Sequence, residues 1–299
     1  MNYIEKIKIV NYKCFKGTFS VEFNSGINII VGNNEAGKST ILEAIHLALS
    51  GILCGKYLKN ELSQYIFNKD IEKEYIDSLN PEKSPFPKDP PYILIEIFFA
   101  GSDLPLFEGD GNSSERKACG LSFKIEFDSE FQEEYNELIK EEITTIPIEY
   151  YKLTWRSFAR DAVSIKSIPI KSVLIDSSST RFQNGSDMYI SKIIKDDLEK
   201  KEIVGLSQAY RKLKESFMID NSIVALNNKV TTNADISAKT VSISVDLSAK
   251  NSWETYLMTY LEDIPFHQIG KGEQCLIKTN LALAHEKTQE SNLILLEEP

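Results

Sequence analysis

INIIVGNNEAGKSTILEAIHLALSG, residues 27–51, decides the fold. Its first five residues are apolar except for Asn28, the pattern of a central strand buried on both faces. From Ser39 the apolar residues take helical spacing. Ile41, Leu42, Ile45 and Leu49 share one stripe, and Gly51 stands just past the end as a C-cap. Between strand and helix lies GNNEAGKST, residues 32–40, which fits G-x-x-x-x-G-K-[ST]. The two glycines let the backbone turn tightly with successive N–H groups pointing inward, and the helix that follows adds the positive end of its dipole. The candidate nucleotide-binding residues are therefore Gly32, Asn33, Asn34, Glu35, Ala36, Gly37, Lys38, Ser39 and Thr40. Lys38 is expected on the β- and γ-phosphates and the Ser39 hydroxyl on Mg²⁺.

Working outward, Ile7 and Ile9 alternate with lysines, and Phe19, Val21 and Phe23 alternate with polar residues, so two half-buried strands precede the loop. After it, NPEKSPFPKDPP (residues 80–91) holds five of the ten prolines and reads as an irregular connector. Strands are expected over 92–99, 121–127, 150–158 and 172–175. Residues 186–228 carry a helical pattern with Gly205 as a candidate break, and a helical insertion over 186–235 is expected within one head domain spanning 1–299. Its charges (Lys192, Lys195, Lys200, Lys201, Arg211, Lys212 and Lys214 among five acids) read as a solvated helix face. TVSISVDL, residues 240–247, is the cleanest alternating strand, and a short helix is expected over 253–261.

The 299 residues are 42% hydrophobic and 26% charged, which is ordinary globular composition and excludes disorder, collagen and coiled-coil rods. With 34 basic against 44 acidic residues the net charge is −10, the wrong sign for a chain coated with DNA-binding surface. Cys14, Cys54, Cys119 and Cys275 form no C-x-x-C pair, so neither a disulfide framework nor a zinc ribbon is indicated, and a reducing cytoplasm is expected. The N-terminus lacks an apolar h-region of about 7–15 residues. The longest apolar stretch, residues 44–55, falls short of the roughly 20 needed to span a bilayer.

Two further segments carry chemistry. SNLILLEEP, at the end of the sequence, reads as a buried strand that delivers Glu297 and Glu298 at its carboxyl end, where α/β sheets place their ligand crevices. Glu297 is expected to hold Mg²⁺ through water and Glu298 to orient the attacking water. IGKGEQ, residues 269–274, is a glycine-bearing loop before a helix expected over 275–285, a second anion-binding element in one chain. Two chains packed head to tail could sandwich nucleotides between two such elements.

The order NYKCF (residues 11–15), GNNEAGKST, IGKGEQ, LILLEEP resembles the ABC-type ATPase heads of the RecF, SMC and OLD (overcoming lysogenization defect) proteins. Among these it is most similar to OLD-family ATPases, including the Gabija antiphage type. The resemblance implies a P-loop NTPase fold with mixed sheets around the phosphate-loop helix, Mg-ATP hydrolysis, a homodimer closed around nucleotide, and a role in DNA processing or antiphage defence. It places Lys13 near the nucleotide, and Gly270, Lys271, Gly272 and Glu273 at the signature loop that contacts the partner's γ-phosphate. Glu297 and Glu298 become the Walker B pair. Gly270 replaces the family's signature serine, and Lys271 adds a cation able to act in trans. The family's pattern continues past its Walker B strand with a D-loop, a switch histidine and, in OLD proteins, a Toprim nuclease domain, so the 299 residues read as a head incomplete at its C-terminus. Nuclease activity is not expected of this chain itself.

His46 reads as a core or boundary residue, and His267 and His285 are too scattered for a metal site. Cys275 reads as a small packing residue. Gln64, Gln183 and Gln208 remain equal candidates for a Q-loop. Two other readings stay open: a nucleotide-sensing assembly module that does not turn over, and the ATPase part of a nuclease.

Overall fold

The computed structural model describes residues 2–80, 84, 86–101, 104–140, 143–176, 182–183, 186–187, 198–233, 258–285 and 291–297. The chain divides into two compact units, residues 1–176 with 287–297, and residues 177–286 with 298–299.

The first unit is built on a six-stranded antiparallel sheet: β1 (Tyr3–Val10), β2 (Thr18–Glu22), β3 (Ile93–Ala100), β4 (Ala118–Phe127) and β5 (Tyr151–Ser157) follow the order β2-β1-β3-β4-β5, and the two-residue strand Glu108–Gly109 also pairs with β4. Its two faces follow from the alternation in the sequence. Ile9, Ile95 and Phe123 stand in one row across β1, β3 and β4, each fully buried, with Trp155 opposite Phe123 on β5. One residue along, the row Lys8, Glu96, Ser122, Arg156 occupies the other face. One apolar face and one polar face is the usual economy of an antiparallel sheet.

Helix α1 (Lys38–Ser50) packs against β3 and against both strands of a parallel pair, β6 (Ser172–Asp176) and β7 (Leu293–Glu297). It buries Ile41, Ala44, Ile45, Leu47, Ala48 and Leu49. Each large aliphatic side chain among these contributes on the order of 2 kcal/mol relative to exposure. The helix stops at Gly51, left-handed at φ 70°, whose N–H donates to the Leu47 carbonyl. Trp155 Nε1 donates to the Ala48 carbonyl at 2.9 Å and ties this end of α1 to the sheet. Helix α2 (Lys69–Leu79) begins at Asn68, whose Oδ1 accepts from the Asp70 and Ile71 N–H groups, with Asp70 and Glu72 in the first turn to complement the dipole. A short α3 (Gln132–Leu138) completes the α-helices of this unit among its described residues.

The second unit contains α4 (Lys200–Met218), α5 (Asn221–Asn233) and α6 (Lys271–Ala284). Glu199 and Glu202 form a reciprocal capping box at the start of α4. Ahead of α6, Tyr260–Leu261 pairs antiparallel with Ile264–Pro265.

Several expectations need correction. Residues 27–31 form no strand: Ile27, Ile29 and Val31 are 93%, 81% and 84% exposed, and only Ile30 packs partly on the core. An apolar run becomes a strand only where a ladder partner is available, and none of the strands formed by the described residues pairs with it. Asn28 instead bonds locally: its Oδ1 accepts from the Asn24 N–H, and its amide donates to the Asn24 and Gly26 carbonyls. Gly205 lies inside α4, and the helical stretch breaks at 219–220. Ser186–Asp187 is a strand paired with Phe182–Gln183, not the start of a helix. Tyr260–Leu261, expected at the end of a helix, is a strand because a tight turn at 262–263 folds the chain back onto it. The expected strand over 240–247 lies outside the described residues.

Candidate nucleotide site

The phosphate loop leads directly into α1. Glu35 and Gly37 both take positive φ, 64° and 90°. At Gly37 any larger residue is strained and displaces its neighbours. A Cβ there would stand 2.7 Å from the Phe15 ring and 2.9 Å from Cys14 Sγ, on top of the backbone penalty. The residues that press on it belong to NYKCF, so this motif forms the wall of the loop.

No side chain caps the N-terminus of α1, and no acid occupies its first turn. Its leading N–H groups are thus available to an anion, with the dipole in support. Lys38 Nζ donates to the Gly32 and Asn33 carbonyls, both at 2.8 Å, so the ammonium bridges the loop it belongs to. Ser39 is exposed and its hydroxyl makes no hydrogen bond to a described residue. Thr40 Oγ1 lies 3.6 Å from Cys14 Sγ.

The NYKCF loop is itself held from several sides. Asn11 and Lys13 are left-handed at φ 58° and 47°. Asn11 Oδ1 accepts from the Gly17 N–H at 3.0 Å. The Lys13 N–H donates to the Ile66 carbonyl at 2.8 Å, and its carbonyl accepts from the Asn68 side chain at 2.7 Å. Phe15 stacks on Phe19 with ring centroids 4.1 Å apart. Lys13 Nζ pairs with the Glu43 carboxylate on α1. Tyr12 is fully buried, and burial first, then the Glu43 charge, drive its hydroxyl pKa well above the usual value.

Behind the loop, His46 Nδ1 meets Ser172 Oγ at 2.9 Å and ties α1 to β6. Burial lowers its pKa from 6.5 to about 4, so at neutral pH it is an uncharged linker, as expected for a boundary histidine. Glu297 ends β7 at the carboxyl end of the parallel pair, in register with Asp176 at the end of β6. Glu298 lies outside the described residues. Sequence reasoning missed Asp176 and Glu43. Each left a readable signal: SVLID is, like LILLE, an apolar run ending in an acid, and Glu43 is four residues after Ser39 and shares its helix face.

In the second unit IGKGEQ is not all loop. Gly270 is the N-cap and Lys271 the first residue of α6, four residues earlier than expected, because Gln274 turns inward and donates from Nε2 to the Ile269 carbonyl at 2.8 Å. Gly270, Lys271, Gly272 and Glu273 are exposed. Among the described residues no group of three or more His, Cys, Asp or Glu side chains could hold a metal, and no helix is long and apolar enough to cross a membrane.

A protein-family profile described as an AAA domain matches residues 6–264. The DNA double-strand break repair Rad50 ATPase of Methanopyrus kandleri is 54% identical over 46 residues, 15% of this chain and 5% of that protein. The DNA replication and repair protein RecF of Clostridium kluyveri is 32% identical over 74 residues, 25% of this chain and 19% of that one. This chain therefore matches only a small part of the length of either curated relative. A solved structure of the recombination mediator protein RecF with ATP is similar over 100% of this chain and 86% of that chain, at 12% identity and a TM-score of 0.44.

Proposed function

The chain belongs to the AAA domain family, and from that premise we propose that it binds Mg-ATP and hydrolyses the β–γ phosphoanhydride as an ATPase head of the RecF, SMC and OLD kind. The observation that carries the reading is the phosphate loop itself, which ends on the uncapped N-terminus of α1 with Lys38 Nζ resting on its own loop carbonyls. An incoming triphosphate offers Lys38 anionic acceptors in place of two neutral carbonyls, which adds the attraction between full charges to the hydrogen bonds.

The donors fit a hard cation. The exposed Ser39 hydroxyl and the Glu297 carboxylate are oxygen ligands of the kind Mg²⁺ takes while keeping several waters. When bound, Mg²⁺ neutralises charge on the β- and γ-phosphate oxygens. Lys38 then grips the phosphates, the first-turn amides of α1 cradle them, and Glu298 orients the attacking water and accepts its proton. Catalysis on this reading comes from positioning and electrostatics. Gly270, Lys271, Gly272 and Glu273 meet the γ-phosphate of a second copy, which makes the active species a nucleotide-closed homodimer. Membership of the OLD group, DNA as the regulated partner, an antiphage role and work alongside a Toprim nuclease domain or subunit are part of this proposal. They rest on the motif order and on the repair proteins among the relatives.

Steady-state phosphate release tests it. Glu298→Gln is expected to abolish turnover while leaving ATP bound and dimers trapped. Tight ATP binding with no turnover by the wild-type chain favours the nucleotide-sensing module instead.

A further inference from the structure

Resting on the phosphate-loop reading, we propose that Glu43 is a positioning residue of the nucleotide site: its carboxylate fixes where the Lys13 ammonium stands. Neither the phosphate-loop pattern nor the Walker B pair includes this glutamate. It lies on α1 one turn after Ser39, so the two side chains share a helix face.

Three observations converge on it. The Lys13 backbone is clamped at both its N–H and its carbonyl, and held left-handed, so the lysine's root cannot move. Its ammonium lies 5.7 Å from the centre of the buried Tyr12 ring and pairs with Glu43, with the two side chains only 28% and 19% exposed. The next residue, Cys14, touches both Thr40 and the space beside Gly37, so Lys13 belongs to the same wall that shapes the phosphate loop. A long, flexible lysine fixed at its root and at its tip has few positions left to explore. Without Glu43 the tip would be free, and ordering it at each binding event would cost side-chain entropy. Without Lys13, Glu43 would leave an uncompensated negative charge one turn from the bound phosphates. Both losses weaken ATP binding, and because they concern one pair they do not add.

The test is a double-mutant cycle on ATP affinity, read with a fluorescent ATP analogue and Mg²⁺, beside thermal unfolding without nucleotide. Glu43→Gln and Lys13→Ala are each expected to weaken binding by up to about fivefold, as fits a partly screened pair. The double variant is expected to be no weaker than the worse single one. A changed melting temperature with unchanged affinity in Glu43→Gln, or fully additive losses in the cycle, overturns the proposal. Glu43→Asp keeps the charge but shortens the reach and is expected to lose a smaller factor. If Glu43→Gln does not fold, wild-type affinity in Glu43→Asp overturns the proposal instead. Lys38→Ala separates the two levels. If wild type binds no ATP, or Lys38→Ala binds it equally well, the site itself fails and Glu43 with it. If Lys38→Ala loses ATP while Glu43→Gln keeps it, only the role of Glu43 fails.

Discussion

Two helices of this protein begin at glycines, and the glycines are there for different reasons. At the start of α1, Gly37 is left-handed at φ 90° and hemmed in by Phe15 and Cys14, so the chain's own packing dictates it. At the start of α6, Gly270 has an ordinary φ of −59°, and a Cβ at Gly270 or Gly272 would meet no described atom within 4 Å. Gly37 answers to the inside of its own unit. No described atom crowds Gly270 or Gly272, and their smallness is compatible with the proposed contact with a second copy's nucleotide.

The comparison breaks most visibly at Gly37. Gly37→Val is expected to cost several kcal/mol, from a strained φ of about 1–3 kcal/mol plus the clash with the Phe15 ring. It should lower the melting temperature and abolish ATP binding together. A stable variant that still binds ATP would show that the wall of the loop is not rigid. Gly270→Val should divide these effects: ATP affinity as in wild type and a melting temperature lowered far less than in Gly37→Val, the small loss being that of a poorer N-cap, but phosphate release and ATP-driven association down by about tenfold or more. If instead it melts as early as Gly37→Val, the two glycines are alike and the contrast fails.

A smaller effect sharpens the α1 side. Burial holds His46 uncharged, with its pKa lowered from 6.5 to about 4. Between those values the unfolded chain takes up a proton that the folded chain refuses, so stability rises with pH through this window. The contribution is complete above about pH 6.5 and is lost as pH falls toward 4. His46→Gln should flatten that part of the profile of melting temperature against pH. An unchanged slope would mean that other groups set it.

The start of α1 after residues 32–37, its apolar stripe and the strands of the antiparallel sheet were legible because period and spacing report them directly. Of the expected stripe Ile41, Ile45 and Leu49 are buried and Leu42 is half-buried, and Gly51 caps where a glycine should. Residues 27–31 were misread because apolarity says what a segment tolerates, while a strand also needs a neighbour, and pairing is decided by tertiary context. The first turn of α6 was misread because two glycines suggest a loop, although Gln274 folds back to Ile269 and completes a helical turn through them. Cys14 and Phe15 against Gly37, like Lys13 against Glu43, lie far apart in sequence and were invisible to any local pattern. The sequence names candidate residues for the site. Which residues hold them in shape had to come from the structure.

The central claim is that residues 32–40 bind the phosphates of ATP through Lys38. Calorimetric titration of ATP with Mg²⁺ into the wild-type and Lys38→Ala chains tests it most directly. Saturable one-site binding is expected of wild type and none of Lys38→Ala, with melting temperatures little changed because the hydrogen bonds of Lys38 Nζ among the described residues go to its own loop carbonyls. Equal ATP affinity in the two chains would contradict it.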